Sequence, residues 1–212
     1  MVELIRGLDP ARVRGRLEEI REEVGPDVEI LAATKYVALE ELPVLSEAGV
    51  TLVGENRAQD LDAKHAEHGA RFTWDFIGTL QSRKVRGVLP HVRLIHSVSS
   101  DSVLEQLRTR AADRPDLEVL VEVNVAREPG KAGLDPDDLD AFIARCPVRV
   151  TGLMTMPPLA ERPEDSRRWF AALAGLAADR GLARLSMGTS QDLGVAAQEG
   201  ATVVRVGSRL FR

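Results

Sequence analysis

The residue best placed to do covalent chemistry is Lys35, which follows an apolar segment. The run Glu29-Ile30-Leu31-Ala32-Ala33-Thr34 is typical of a buried strand, and a helical pattern begins just after Val37. An amine at the carboxyl end of such a strand can condense with the carbonyl group of a bound compound and form a Schiff base. Because most lysines are solvated, a plain loop lysine is the competing interpretation. The remaining sequence must decide between the two.

Two glycine- and hydroxyl-rich segments near the end of the sequence suit anion binding. Gly188-Thr189-Ser190 follows one apolar run, and Gly207-Ser208 follows the next. Glycine lets backbone N–H groups approach an anion closely, and the helix expected after Ser190 would favour negative charge. Barrel proteins bind phosphate with the loops after their seventh and eighth strands. Each segment alone is compatible with an ordinary turn, but the two together favour a phosphate site.

An arginine interrupts the last apolar run, Val203-Val204-Arg205-Val206. A buried guanidinium needs a partner, because burying it alone is costly. One interpretation is a structural salt bridge. The other, suggested by the lysine and the phosphate-binding segments, is that Arg205 faces the ring nitrogen of a pyridine cofactor.

These residues require a scaffold that brings strand ends together. Eight apolar runs alternate with helical patterns, and their lack of polar–apolar alternation favours a parallel sheet covered by helices. We therefore predict an α/β fold, a single (β/α)8 TIM-type barrel with an extra N-terminal helix, rather than a doubly wound sheet. One domain would span residues 1–212, with the helix at about 8–24 and the barrel at about 28–212. The predicted strands are Val28–Thr34, Val50–Gly54, Phe72–Gly78, Val92–His96, Glu118–Asn124, Val148–Met154, Ala183–Met187 and Thr202–Val206.

Capping residues and glycines mark the predicted helices. Asp9 and Pro10 suit the start of the first helix, Asn56 is expected to cap the third, and glycine or proline ends most of them. The predicted helices are Leu8–Val24, Leu39–Ala48, Asn56–His68, Ser82–Leu89, Ser100–Ala112, Pro136–Arg145, Pro163–Arg180 and Gln191–Glu199.

Composition limits the possible partners and compartments. The 212 residues carry a net charge of −5, with 44% hydrophobic and 29% charged residues, so nucleic acid and anionic membranes are not expected partners. Cys146 is the single cysteine, which fits a reducing compartment. The N-terminal residues do not resemble a signal peptide, and no apolar run approaches the ~20 residues that span a bilayer. We expect a cytoplasmic monomer without a metal site.

Eight segments, in this order, resemble the pyridoxal-phosphate homeostasis protein family, whose fold is similar to the barrel domain of alanine racemase. The resemblance covers nearly the whole chain, and the order of its segments makes it specific. The segments are Ala33-Thr34-Lys35, Gly54-Glu55-Asn56-Arg57, Phe76–Gln81, Ile95–Val98, Val123-Asn124 with Lys131, Gly152–Pro158, Leu185–Gly188 and Val204–Gly207.

The resemblance implies that pyridoxal 5′-phosphate (PLP) is bound covalently by Lys35. It also implies a role in intracellular vitamin B6 homeostasis, as a carrier or regulator, with PLP-dependent apoenzymes as candidate partners. Arg205 would face the pyridine nitrogen, Asn56 would lie beside the cofactor, and the other contacts would hold its phosphate. The implied cofactor-binding residues are Lys35, Asn56, Ser190, Arg205, Gly207 and Ser208.

The sequence departs from the family pattern at four positions, and none removes a cofactor anchor. Two of the departures are Asp75 in place of histidine and Thr189 in place of methionine. Thr189 could alter the phosphate site. The other two are Arg83 for asparagine and Ser99 for aspartate. The helix after Ser208 is expected to be short.

Catalysis is a separate question from cofactor binding. An arginine at the pyridine nitrogen disfavours the protonated ring and weakens it as an electron sink. A racemase would need a second base on the other side of the substrate carbon. Tyr36 is adjacent to Lys35 and is not expected to reach that side. His96 is expected to be hydrogen-bonded to backbone groups instead. We therefore predict a PLP carrier with no catalytic residues. The alternatives are a weak amino-acid racemase with Lys35 as its base, and a Schiff-base aldolase acting on a sugar phosphate.

Overall fold

A closed barrel of eight parallel strands forms the centre of the protein. The computed structural model describes residues 3–212, and within that range the strands pair in chain order, with β8 returning to β1. The predicted barrel is confirmed, with each strand displaced by at most a few residues from its predicted bounds. The strands are β1 (Glu29–Ala33), β2 (Leu52–Glu55), β3 (Thr73–Phe76), β4 (Leu94–Val98), β5 (Glu118–Glu122), β6 (Arg149–Met154), β7 (Arg184–Thr189) and β8 (Val203–Val206).

Helices cover the outside of the barrel. The helix α1 begins as predicted: Pro10 is its first residue, and the carboxylate of Asp9 accepts a hydrogen bond from the Arg12 N–H at 2.7 Å. Among the described residues, no helix is long and apolar enough to cross a membrane. The α-helices are α1 (Pro10–Val24), α2 (Leu42–Glu47), α3 (Ala58–His68), α4 (Val85–Val88), α5 (Asp101–Arg110), α6 (Leu139–Arg145), α7 (Arg167–Ala178), α8 (Leu193–Gln198) and α9 (Ser208–Phe211).

Several predicted helices begin as a 3₁₀ turn and are shorter as α-helices. The predicted helix Leu39–Ala48, for example, is a 3₁₀ turn at Leu39–Glu41 followed by α2. The 3₁₀ turn is common at helix starts, where the first backbone N–H groups have no partner one turn earlier. The same division occurs before α4, α6 and α7.

The prediction that Asn56 caps the third helix is wrong. The residue before α3 is Arg57, and no side chain caps this helix. Asn56 instead lies one residue beyond β2, where its backbone packs against Gly78. A Cβ atom on Gly78 would lie only 2.1 Å from the Asn56 carbonyl oxygen, so this close approach requires glycine.

The main hydrophobic core lies between the strands and the surrounding helices. The barrel interior differs, because it contains polar side chains as well as small apolar clusters such as Leu94, Leu120 and Met154. His96 on β4 contacts Ser186 on β7, and these strands are not neighbours in the sheet, so the contact crosses the interior. A polar layer therefore lies inside the barrel.

Candidate functional site

A cavity of about 520 Å³ opens among the carboxyl ends of the strands. This is the face on which TIM-type barrels carry their sites, and the volume suits a small ligand. The structure brings all six predicted site residues to its wall: Lys35, Asn56, Ser190, Arg205, Gly207 and Ser208.

Lys35 lies in a turn just beyond β1, and its side chain is solvent-exposed at the cavity wall. Its Nζ atom is 4.9 Å from the centre of the Tyr36 ring, which lines the same cavity. The amine is therefore accessible to a compound that enters the cavity. Tyr36 lies beside Lys35 rather than across from it, in agreement with the sequence argument.

A buried ion pair supports the backbone just before Lys35. The Lys64 ammonium group bonds to Glu55 Oε1 at 2.6 Å and to the Thr34 carbonyl oxygen at 2.8 Å. The Thr34 hydroxyl also donates to Glu55 Oε1, at 2.7 Å. The end of β1 is thereby fixed relative to β2 and α3. Lys64 was not predicted from the sequence, although a glutamate in the apolar segment of β2 signals that a buried cation must be nearby.

The loops after β7 and β8 meet, as the prediction of a phosphate site requires. Ser190 Oγ accepts hydrogen bonds from the backbone N–H groups of Gly207 and Arg209, both at 3.3 Å. The predicted helix start at Gln191 is wrong, because Asp192 turns back and accepts a hydrogen bond from the Thr189 N–H at 2.7 Å. No helix therefore begins directly after Ser190, and the two loops line the cavity with small and hydroxyl-bearing residues.

Arg205 is buried, with 6% of its surface exposed, and points across the barrel. Its guanidinium donates to Ser186 Oγ, to the Thr155 carbonyl oxygen at 2.9 Å and to Met156 Sδ at 3.0 Å. Among the ion pairs of residues 3–212, none includes Arg205, so the salt-bridge interpretation is not supported. Burial lowers the pKa of Arg205 to about 10, which leaves the side chain charged at neutral pH.

His96 is bonded to side chains, which corrects the expectation that backbone groups satisfy it. Its Nδ1 atom lies 2.8 Å from Ser186 Oγ, and its Nε2 atom lies 3.1 Å from Asp75 Oδ2. Burial lowers the pKa of His96, although the neighbouring Asp75 opposes this effect. His96 is fully buried and is not among the residues that line the cavity, so it is not placed to act as a base there.

Two buried oxygen atoms at the cavity have no hydrogen-bond partner in the described part of the chain. They are Glu122 Oε2 and Asn56 Oδ1. Glu122 is 5% exposed, and burial raises the pKa of its carboxyl group against the opposing charges of Arg205 and Lys131. A group that donates a hydrogen bond from within the cavity would satisfy these oxygens. Glu122 was not predicted from the sequence, although a charged residue at the end of the apolar strand β5 is a signal for it.

The fold and the site together define a (β/α)8 barrel with an accessible lysine, a buried arginine and two glycine- and serine-containing loops around one cavity. The sequence matches the family described as alanine racemase, N-terminal domain, over residues 8–212. The chain belongs to this family and, within it, to the pyridoxal phosphate homeostasis proteins.

Individual relatives cover nearly the full length. The chain is 37% identical over 216 residues to the pyridoxal phosphate homeostasis protein of Aquifex aeolicus, covering 95% of each sequence. It is 38% identical over 213 residues to the protein of that name from Pseudomonas aeruginosa, covering 95% of this chain and 92% of that one. The structure of PipY from Synechococcus elongatus with PLP bound has a TM-score of 0.83 at 32% identity, covering 94% of this chain and 100% of PipY.

Proposed function

We propose that this protein binds PLP in the cavity, holds it covalently through Lys35 and acts in intracellular vitamin B6 homeostasis as a carrier or regulator. The observation that carries the proposal is the convergence of Lys35, Arg205 and the Ser190–Gly207 loop pair on one cavity. The names of the relatives and the PLP-bound PipY structure support it.

The residues present fit this cofactor. Bound PLP supplies an aldehyde that condenses with an amine and a pyridine ring that can withdraw electrons. The cavity offers an accessible amine at Lys35, a fixed guanidinium at Arg205 and, for a phosphate, the small and hydroxyl-bearing residues Ser190, Gly207 and Ser208. The unpartnered Glu122 and Asn56 oxygens could accept hydrogen bonds from the ligand. Both the volume and the polar groups therefore suit a phosphorylated pyridine aldehyde.

Each predicted residue has a separate task. The Lys35 amine makes the covalent bond, while Ser190, Gly207 and Ser208 hold the phosphate group. Arg205 faces the ring nitrogen and Asn56 lies beside the ring. A charged arginine disfavours protonation of that nitrogen and so limits electron withdrawal, which favours storage and delivery over rapid turnover.

Delivery to an apoenzyme tests the carrier role. The PLP-loaded protein, freed of unbound cofactor, would be mixed with a PLP-dependent apoenzyme, and recovery of the apoenzyme's activity would be followed. We expect recovery at a rate that depends on the concentration of the loaded protein. Recovery that only follows slow spontaneous release of PLP would contradict direct delivery and leave a storage role.

A second candidate function is weak amino-acid racemisation, and Glu122 is the observation that favours it. Its carboxyl group lines the same cavity as the Lys35 amine, and its raised pKa suits a group that takes and returns a proton. Incubation of the loaded protein with L-alanine in deuterium oxide distinguishes the two functions. If the protein is a racemase, it forms D-alanine labelled with deuterium at Cα, and the Glu122→Gln variant does not. If it is a carrier, it forms no more D-alanine than free PLP does.

We further propose that residues 1–212 form one PLP-binding domain that acts as a cytoplasmic monomer. The strands close in chain order, so no part of the barrel can be removed without breaking the sheet. A single cooperative unfolding transition and the mass of a monomer in sedimentation equilibrium are the expected results.

A further inference from the structure

A chain of buried hydrogen bonds connects Arg205 to the opposite side of the barrel. The Arg205 guanidinium donates to Ser186 Oγ, which lies 2.8 Å from His96 Nδ1. The other ring nitrogen of His96 lies 3.1 Å from Asp75 Oδ2. Arg205 is 6% exposed, and Ser186, His96 and Asp75 are 0% exposed. These contacts are therefore removed from bulk solvent.

The order of donors and acceptors along this chain is fixed by chemistry. Arginine has only donors, so Ser186 Oγ must accept from Arg205, and its own proton is then free to be donated to His96 Nδ1. The Asp75 carboxylate has only acceptors, so His96 Nε2 carries the ring proton and donates a hydrogen bond to Asp75 Oδ2. In the neutral ring, Nδ1 is then the acceptor for the Ser186 hydroxyl. Arg93 Nε donates to Asp75 Oδ1 at 3.0 Å, which holds that carboxylate from its other side.

We propose that Ser186, His96 and Asp75 are positioning residues that fix the Arg205 guanidinium and set the hydrogen bonds it can offer to a ligand. Two N–H groups, one on Nη1 and one on Nε, have no partner within residues 3–212, because the other three donate to Ser186, Thr155 and Met156. These two remain available for the cavity. The effect on PLP binding rests on the proposed function, whereas the series of hydrogen bonds from Arg205 to Asp75 does not.

The neutral groups in the chain explain how Arg205 keeps its donors for a ligand. A carboxylate in direct contact would take two guanidinium N–H groups in a bidentate pair. Here the nearest link is a hydroxyl, and the negative charge of Asp75 lies beyond His96. The guanidinium is therefore held in place without being paired.

Nitrogen NMR of the ligand-free protein labelled with ¹⁵N in histidine and arginine tests the chain directly. The His96 signals would be assigned by their loss in His96→Gln. We expect His96 to remain neutral across roughly pH 5 to 8, with the proton on Nε2. We also expect an Arg205 side-chain N–H signal protected from exchange with water. A charged His96 or a proton on Nδ1 would overturn the proposal, whether or not PLP binds.

The variant Ser186→Ala interrupts the chain while it leaves both charged ends in place. We expect faster exchange of the Arg205 N–H signal, a shifted absorption maximum of bound PLP and PLP binding weakened at least several-fold. Thr202→Val is the matched control, because it also removes a hydroxyl that is hydrogen-bonded to β7. Thr202 Oγ1 accepts a hydrogen bond from the Leu185 N–H at 2.9 Å. A Ser186→Ala variant that matches Thr202→Val in all three measurements would refute the positioning role. Failure of the unaltered protein to bind PLP would instead refute the proposed function.

Discussion

Glu55 and Lys64 form a buried ion pair directly beneath the backbone that leads to Lys35. The Lys64 Nζ atom lies 2.6 Å from Glu55 Oε1 and 2.8 Å from the Thr34 carbonyl oxygen. The side chains of Glu55 and Lys64 are 0% and 8% exposed, so both are removed from water. The pair joins β2, α3 and the end of β1, and it fixes the turn from which Lys35 projects.

Replacing Lys64 with methionine should destabilise the protein strongly. Glu55 would be left as an uncompensated buried charge, a change that typically lowers the free energy of unfolding by about 3–5 kcal/mol. Urea unfolding followed by circular dichroism measures this loss. The double variant Glu55→Gln with Lys64→Met should recover part of it, because no charge then remains buried. A double variant less stable than Lys64→Met alone would contradict this explanation.

Replacing Lys35 with alanine should have little effect on folding. The side chain is exposed and makes no hydrogen bond among the described residues, so we expect a change within about 0.5 kcal/mol in the free energy of unfolding. Covalent binding of PLP should be lost in the same variant. A large loss of stability would mean that Lys35 supports the structure rather than the ligand.

Replacing Arg205 with glutamate should change the spectrum of bound PLP. The substitution puts a carboxylate in place of the guanidinium that we propose faces the ring nitrogen, and a carboxylate there favours the protonated ring. Ser186 and Thr155 also lose their donor, at roughly 1–3 kcal/mol for each buried group left unsatisfied. Absorption spectra are compared with those of Arg149→Glu, the same charge change at an exposed site at the start of β6. An absorption maximum that does not move would show that Arg205 has only a structural role.

Replacing Glu122 with glutamine should increase stability above acidic pH. Burial raises the pKa of Glu122 above its ordinary value of 4.5, so the folded protein retains this proton to higher pH than the unfolded chain. The resulting stabilisation is fully present below 4.5 and is lost as pH rises through the folded-state pKa. Glutamine cannot ionise, so the variant should match the parent protein at low pH and exceed its stability at neutral pH.

Urea unfolding at several values from about pH 4 to pH 8 tests this pH dependence. Equal stability of the two proteins across the whole range would contradict it. We also expect Glu122→Gln to bind PLP less tightly, because the amide has lost the charge that attracts a donor group of the ligand. A carboxylate that lowers stability but strengthens binding is typical of a functional site.

The strands and the cavity residues were predictable because both depend on local sequence. Parallel strands buried on both faces are continuous apolar runs, and all eight were located. Residues that follow such strands must meet at one face of a barrel, which is why Lys35, Asn56 and Ser190 could be assigned to one site.

The contacts inside the barrel were not predictable in the same way. Whether His96 meets Ser186 or a backbone group depends on how β4 and β7 face each other after the barrel closes, and that is set by strand tilt and stagger. The pairing of Lys64 with Glu55 depends equally on how α3 packs on β2. The spacing of residues along the sequence gives neither the relative orientation of β4 and β7 nor the packing of α3 on β2.

The most direct test of the central claim is to map the site of covalent attachment. The protein would be mixed with PLP, reduced with borohydride, digested and analysed by mass spectrometry, with Lys35→Ala and Lys84→Ala treated in parallel. Lysine occurs only at positions 35, 64, 84 and 131, so the assignment is unambiguous. We predict a visible absorption band that bleaches on reduction, with the added mass on Lys35, retained in Lys84→Ala and lost in Lys35→Ala. A colourless protein without an adduct, or an adduct at another lysine, would contradict the account.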